Sequence, residues 1–183
     1  SVPSLALGSG EVTLMAMTSA YSVFADQGQL RSPTLIRRVE DADGAVLFEA
    51  THASQRVLSP QTAFLMTSML ADVVNAGTAS RARQEGFTLP AAGKTGTTND
   101  YVDAWFVGYT PHLATGVWIG FDKPRTIIAN GFAGELAVPM WARFMKAATS
   151  THRPDTFKAP QGIASANVCQ LSGQLRAAGC DRI

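Results

Sequence analysis

The sequence predicts an α+β fold in which helices and strands are segregated along the chain. Helix candidates occupy the region from about residue 13 to residue 75, three strand candidates follow from residue 93 to residue 121, and a closing helix is expected to open at Pro139. The last two strands are joined by a link as short as Thr110-Pro111-His112, which leaves no room for a crossover helix, so they are expected to be antiparallel. Runs of helices followed by a run of strands, rather than strict alternation, mark the α+β class.

Each element has a local reason. Leu14, Met17, Thr18, Tyr21, Phe24 and Ala25 recur at helical spacing, and Gly28 stands where a left-handed cap would end the helix, which predicts a helix from about Thr13 to Gln27. Two strand-like runs, Thr34 to Val39 and Ala45 to Phe48, flank Asp41-Ala42-Asp43-Gly44, whose Asp-Gly pair supplies the positive φ of a hairpin turn. Ser59 followed by Pro60 is an N-cap with a first-turn proline; the segment to Asn75 is apolar on most faces and is expected to be largely buried before Gly77 stops it. Residues 78–90 show no period and are expected to form a loop.

The strands are expected at Gly93 to Thr98, Ala104 to Tyr109 and Leu113 to Phe121. Asp122 to Val138 should be a turn-rich connection, and Pro139 a first-turn proline. Beyond His152 the composition shifts to Pro, Gly, Ser and Ala, which divides the chain into a domain over 1–150 and an irregular tail over 151–183.

Composition bounds the function. With 183 residues, 46% hydrophobic and 16% charged, the chain can build a globular core. A balance of 15 Lys plus Arg against 14 Asp plus Glu offers no net charge to recruit nucleic acid or an anionic membrane. No run approaches the roughly 18 apolar residues of a membrane span, and no leader pattern opens the chain. The two cysteines, Cys169 and Cys180, either close a small loop worth about 3 kcal/mol when oxidised or stand as two thiols. Neither has His or a further Cys beside it at ligand spacing, so no metal site is expected.

The chemistry is concentrated in Ala92-Gly93-Lys94-Thr95-Gly96-Thr97-Thr98. Lys-Thr-Gly recurs, together with Ser-x-x-Lys and Ser-Asp-Asn, in penicillin-binding proteins and class A β-lactamases. The tripeptide alone is a weak signal, since Lys94 could be a solvated strand-end lysine and the threonines could be β-branched strand formers. The neighbourhood makes it specific. Asn99-Asp100 and Asp103-Ala104-Trp105-Phe106-Val107-Gly108-Tyr109-Thr110-Pro111 follow it, then Gly116-Val117-Trp118-Ile119-Gly120 and Pro139-Met140-Trp141. Leu5-Ala6-Leu7-Gly8, Glu11-Val12-Thr13 and Gly77-Thr78-Ala79 precede it. Over nearly all of the first 150 residues this pattern resembles the transpeptidase domain of bifunctional class A penicillin-binding proteins.

The resemblance implies a partial β-lactamase/transpeptidase-like fold and a D,D-transpeptidase that cross-links stem peptides ending in D-Ala-D-Ala and is acylated by β-lactams. Acyl transfer needs a cation, hydroxyl donors and an oxyanion hole close together. By resemblance, Lys94 supplies charge beside the nucleophile, Thr95, Thr97 and Thr98 meet the substrate, the Thr97 backbone N–H is an oxyanion donor, and Gly96 admits the ligand backbone. No cofactor is implied. Trp105, Trp118 and Trp141 are expected in the core, His112 in a turn, and Arg81 and Arg83 on a solvated loop.

One part of the constellation is missing. In this family the nucleophile is the serine of Ser-x-x-Lys, and no serine of this chain is followed by lysine three residues later. Ser165-Ala166-Asn167 has the letters of the second motif but comes after the Lys-Thr-Gly strand, where the family order does not allow it. The expectation is that the chain starts after the true Ser-x-Asn, that the N-terminal half of the domain lies outside it, and that it is inactive alone. The Leu113 to Phe121 strand would then be an open edge, paired with the missing half or with a second copy. An extracytoplasmic site, anchored by a segment outside these residues, is implied. The alternatives are part of a serine β-lactamase or D,D-carboxypeptidase, and a non-catalytic module that binds cell-wall peptide or a partner.

Overall fold

Thr13 starts the first helix as expected: its side chain accepts the Ala16 N–H (3.1 Å), and α1 runs Leu14–Ala25. The architecture is that of a computed structural model, which describes every residue except 1, 2, 9, 52, 153, 178 and 181–183, and leaves out the side chains of 6 and 7. Parts of the expected tail therefore lie outside the described residues. A single 3-10 turn, Pro3–Leu7, precedes α1.

After α1, Gly28 holds φ 93°, and a Cβ there would fall 2.1 Å from the Leu58 carbonyl oxygen, so only glycine fits. That close approach lets β1 (Gln29–Arg31) pair antiparallel with β4 (Ser54–Arg56). Between them lies the predicted hairpin, β2 (Arg38–Glu40) with β3 (Val46–Glu49). Its turn is fixed by the Asp41 carboxylate, which accepts the N–H of Asp43 (3.0 Å) and of Ala45 (2.8 Å). The first strand of this hairpin is shorter than predicted: the Arg37 carbonyl still accepts the Ala50 N–H (2.9 Å), but residues 34–36 find no ladder partner across the turn.

Ser59 caps α2 (Pro60–Asn75), accepting from Thr62 N–H at 3.1 Å. The expectation of a largely buried α2 is corrected. Ala63, Thr67, Leu70 and Val74 form one buried stripe, while Leu65 and Met69 are 53% and 57% exposed on another side. Residues 78–90 are not all loop either, since Arg81–Gln84 forms a one-turn helix, α3. Glu85 then ties it to the last helix, accepting from Arg81 (3.3 Å) and Arg143 (3.0 Å). Arg83 donates to Asn75 (2.8 Å) and to the Phe87 and Leu89 carbonyls (both 2.8 Å), so it braces the end of α2 and is half-buried.

The central sheet is the predicted meander. β5 (Ala92–Thr97), β6 (Ala104–Tyr109) and β7 (Ala114–Ile119) stand in the order β5-β6-β7, all antiparallel. Successive side chains alternate between faces. Ala92 and Tyr109 form a buried cluster with Leu70 of α2 against Tyr21 and Phe24 of α1, while Phe106 faces Trp141 of α4 on the other side.

The last helix, α4, spans Ala133–Ala148, so the expectation that it starts at Pro139 is corrected: Pro139 sits inside it. A mid-helix proline deprives the carbonyl four residues back of its donor. That residue is Glu135, which is exposed, so water can serve its carbonyl. Trp141, fully buried, packs edge-on against Phe87 and Phe106, each at 5.1 Å, and carries the main core with Met145, Val138 and Ala142. Trp118, expected in the core, is 38% exposed and faces Trp105 across β6 and β7. Beyond α4 no helix or strand forms among the described residues, only a Val168–Leu175 bridge. Cys169 and Cys180 are joined in a disulfide. The start of the tail is docked: Phe157 meets Tyr109 edge-on at 5.7 Å, and Asp155 meets His112 at 3.2 Å beside the β6–β7 turn.

Candidate active site

Lys94, Thr95, Gly96 and Thr97 all lie on β5, at the open edge of the sheet. Register decides where each side chain goes. Thr95 pairs with Phe106 and Thr97 with Ala104, on the face covered by α4, whereas Lys94 pairs with Val107 and Gly96 with Trp105, on the opposite face. A ligand resting on one face would meet the lysine or the threonines but not both; one lying along the free edge meets all three.

The backbone of that edge is oriented. Thr98 N–H donates inward to the Asp103 carbonyl (3.1 Å), and because backbone groups alternate in direction along a strand, the Thr97 and Thr95 N–H and C=O groups are directed away from β6. Lys94 Nζ donates to the Thr95 carbonyl oxygen at 2.9 Å, which brings the exposed ammonium round to the same edge.

Each threonine hydroxyl has a distinct setting. Thr95 Oγ1 is 2.7 Å from Thr78 Oγ1, which arrives from the loop after α2. Thr97 Oγ1 accepts the N–H of Ala133 at 3.0 Å, and so caps α4, whose own N-cap residue, Phe132, offers no side-chain acceptor. A hydroxyl that accepts this bond still has its own hydrogen to donate. Thr98 differs. Its hydroxyl accepts from Asp103 N–H (2.8 Å) and lies 3.3 Å from the Asp103 carboxylate, so it is committed to the turn after β5 and is not turned to the edge that Thr95 and Thr97 share.

The glycines of the motif have separate reasons. A Cβ on Gly93 would fall 2.7 Å from Phe106 Cζ and 2.7 Å from the Val107 carbonyl, so its smallness serves sheet packing. A Cβ on Gly96 would meet only Trp105, at 3.3 Å. Thr78 is the contributor that sequence reasoning passed over. Its signal was Gly77-Thr78-Ala79, and the structure adds that Gly134 of α4 leaves room for the Thr78 carbonyl, which a Cβ would approach to 2.8 Å.

No group of three or more metal-ligating side chains forms among the described residues. The cavity under α1, about 210 Å³ and lined by Phe24, Thr67, His112 and Asp155 among others, is separate from the β5 edge. Among the described residues no helix is long and apolar enough to cross a membrane.

The family model for the penicillin binding protein transpeptidase domain matches residues 1–123. The chain belongs to this family. Among transpeptidase relatives, penicillin-binding protein 1A of Neisseria gonorrhoeae is 41% identical over 169 residues, covering 90% of this chain and 21% of that protein. Penicillin-binding protein 1A of Pseudomonas aeruginosa is 33% identical, over 96% of this chain and 27% of its own length. The crystal structure of penicillin-binding protein 1A from Haemophilus influenzae superposes with a TM-score of 0.90 at 28% identity, covering 97% of this chain and 32% of that one. The fold is therefore that of a penicillin-binding transpeptidase domain, with mixed helices and antiparallel sheet. The chain spans about a fifth to a quarter of the length of these curated relatives.

Proposed function

We propose that this chain supplies the substrate-orienting edge of a serine D,D-transpeptidase that cross-links peptidoglycan stem peptides and is acylated by β-lactams. The observation that carries the reading is the β5 edge itself: an exposed ammonium, two threonine hydroxyls and an outward backbone N–H on one open strand. The substrate lies antiparallel along this edge. Its terminal carboxylate is held by the Thr95 and Thr97 hydroxyls, and Lys94 adds positive charge on the other side of the strand. The reacting carbonyl then sits where the Thr97 N–H can donate to the oxyanion as the tetrahedral centre forms. Gly96 allows the ligand backbone close approach. Thr98 serves by fixing the turn that follows rather than by touching the substrate.

Attack requires a serine that these 183 residues do not provide in a Ser-x-x-Lys setting. The nucleophile is assigned to a part of the domain outside this chain. Its Oγ bonds to the carbonyl carbon, the C–N bond breaks, and the departing nitrogen ends with the proton that Oγ gives up. The same reading accounts for open apolar surface: Leu65 and Met69 on α2, Met140 and Phe144 on α4, and the unpaired edge of β7. We assign that surface to contact with the remainder of the domain or with a second copy of the chain, in an extracytoplasmic, membrane-anchored protein. A monomer of this chain with a solvated β7 edge in solution, by sedimentation and hydrogen exchange, counts against that part.

The test is covalent labelling. A fluorescent penicillin labels the intact protein on a serine upstream of Ser1 and leaves the 183-residue chain unlabelled. The absence of Ser-x-x-Lys favours one second reading, a non-catalytic module that binds cell-wall peptide. An intact protein that never labels, yet binds muropeptide, establishes that reading instead. Labelling of the isolated chain overturns the assignment of the nucleophile.

A further inference from the structure

We infer that Tyr101 is a positioning residue of the carboxylate-binding edge, acting through residues 127–133 on the Thr97 hydroxyl. The inference rests on the reading of Thr97 given above and adds the device that orients it.

The chain leaves β5 through the 3-10 turn Asn99–Tyr101, in which both Asp100 (φ 58°) and Tyr101 (φ 57°) adopt the left-handed conformation. For a bulky residue this is a genuine outlier, and it persists only where the surroundings over-determine it. Here they do. On one side, Thr98 and Asp103 lock the base of the turn through the Asp103 N–H to Thr98 Oγ1 (2.8 Å) and the Thr98 N–H to the Asp103 carbonyl (3.1 Å). Asp103 is held in turn by the Trp118 indole N–H at 2.8 Å.

On the other side Tyr101 grips the segment that feeds α4. Its carbonyl accepts the Ile127 N–H at 2.9 Å, and its ring stands edge-on to Phe132 at 5.1 Å with an interplanar angle of 84°. Its hydroxyl reaches Asn130 Oδ1 at 3.3 Å, a long contact, so the ring and the backbone carry most of the grip. Phe132 is the N-cap residue of α4, and the next N–H, of buried Ala133, is the one donated to Thr97 Oγ1.

This chain of contacts has a chemical consequence. While Ala133 N–H occupies an acceptor position on Thr97 Oγ1, the hydroxyl hydrogen is directed elsewhere and can be donated to an anion. If the 127–133 segment shifts, the hydroxyl is free to turn and the donor is no longer pre-oriented. Tyr101 is thus placed to affect recognition of a carboxylate without touching it.

The experiment measures second-order acylation of the intact protein by benzylpenicillin and by its methyl ester, which lacks the anion. Tyr101→Ala is expected to lower the rate with the free acid about 10-fold while changing the ester less than about 2-fold, and Tyr101→Phe to keep at least about a third of the free-acid rate. In a Thr97→Val background, Tyr101→Ala should add less than about a 2-fold loss, since the two act through one hydroxyl. Equal losses for acid and ester, or full additivity with Thr97→Val, overturn the inference while leaving the reading of the edge intact. A silent Thr97→Val overturns the role given to that hydroxyl, and this inference with it. If Tyr101→Ala does not fold, Phe132→Ala, a change at an exposed side chain, must give the same acid-selective loss or the inference fails.

Discussion

Removing Trp141 tests whether α4 is what holds the meander in place. Trp141→Ala deletes a fully buried side chain that stands edge-on to Phe87 and Phe106 and shares its indole N–H between the carbonyls of Gly108 (3.3 Å) and Thr115 (3.2 Å). Truncating a buried tryptophan costs about 3–5 kcal/mol, and leaving two carbonyls without their shared donor adds about 1 kcal/mol. The sum, about 4–6 kcal/mol, is a large part of the roughly 5–15 kcal/mol that holds a domain together. It should lower the midpoint of thermal unfolding by roughly 10–20 °C. Trp118→Ala is the matched control: the same side chain is lost from a position 38% exposed, with one indole bond to Asp103, and the expected cost is below about 2 kcal/mol. Urea unfolding followed by far-ultraviolet circular dichroism reads both without relying on tryptophan emission. Equal costs for the two variants would refute the view that the Trp141 contacts anchor the sheet.

Three further outcomes follow from the geometry. Gly93→Ala and Gly108→Ala place a methyl 2.7 Å from Phe106 and 2.8 Å from the Trp141 ring respectively, and each should destabilise by about 1–3 kcal/mol in the same unfolding assay. Gly96→Ala, whose methyl meets only Trp105 at 3.3 Å, should unfold within about 1 kcal/mol of the parent yet lose β-lactam affinity in the complete domain; unchanged affinity would sink the close-approach role. Burial pushes the Tyr109 phenol up to about 12, against an opposing hydrogen bond from Thr67. The neutral form is therefore favoured in the folded state, so stability is complete below pH 10 and falls by on the order of 2–3 kcal/mol as pH rises towards 12. In Tyr109→Phe the alkaline loss should shrink, in unfolding curves taken across the window, to the part left by Tyr21, whose phenol burial also pushes up.

The starts of α1 and α2 and the hairpin turn were legible in the sequence because their causes are local. Thr13, Ser59 with Pro60, and Asp41 with Gly44 each satisfy backbone groups within four residues of themselves. The three-stranded meander was legible for the same reason, its links being too short for any other route. What was not legible depends on distance. Polar three-residue strands such as Gln29–Arg31 and Ser54–Arg56 carry no alternation to detect and exist because Gly28 admits Leu58. The one-turn helix at Arg81–Gln84 has no side-chain cap, and Pro139 reads as a helix start because proline favours the first turn, whereas it lies inside α4, where the exposed Glu135 leaves the orphaned carbonyl to water. The site shows the same division. The motif named Lys94, Thr95 and Thr97, but Thr78 and Ala133 reach those hydroxyls across 17 and 36 positions and leave no trace in local spacing. Leu65 and Met69 misled in the other direction, since apolarity predicts burial without saying by what.

The bond from Ala133 to Thr97 also closes a circuit. Everything between those two residues, β6, β7 and the long link into α4, leaves from and returns to a single point at the rim. Lengthening a flexible loop whose ends are already fixed costs only about 0.6 kcal/mol per doubling. The link over residues 120–126 can therefore change in length and composition among relatives while the strand that meets the ligand keeps its position. Diversity in this fold is expected to collect in that link, and constancy at the clasp.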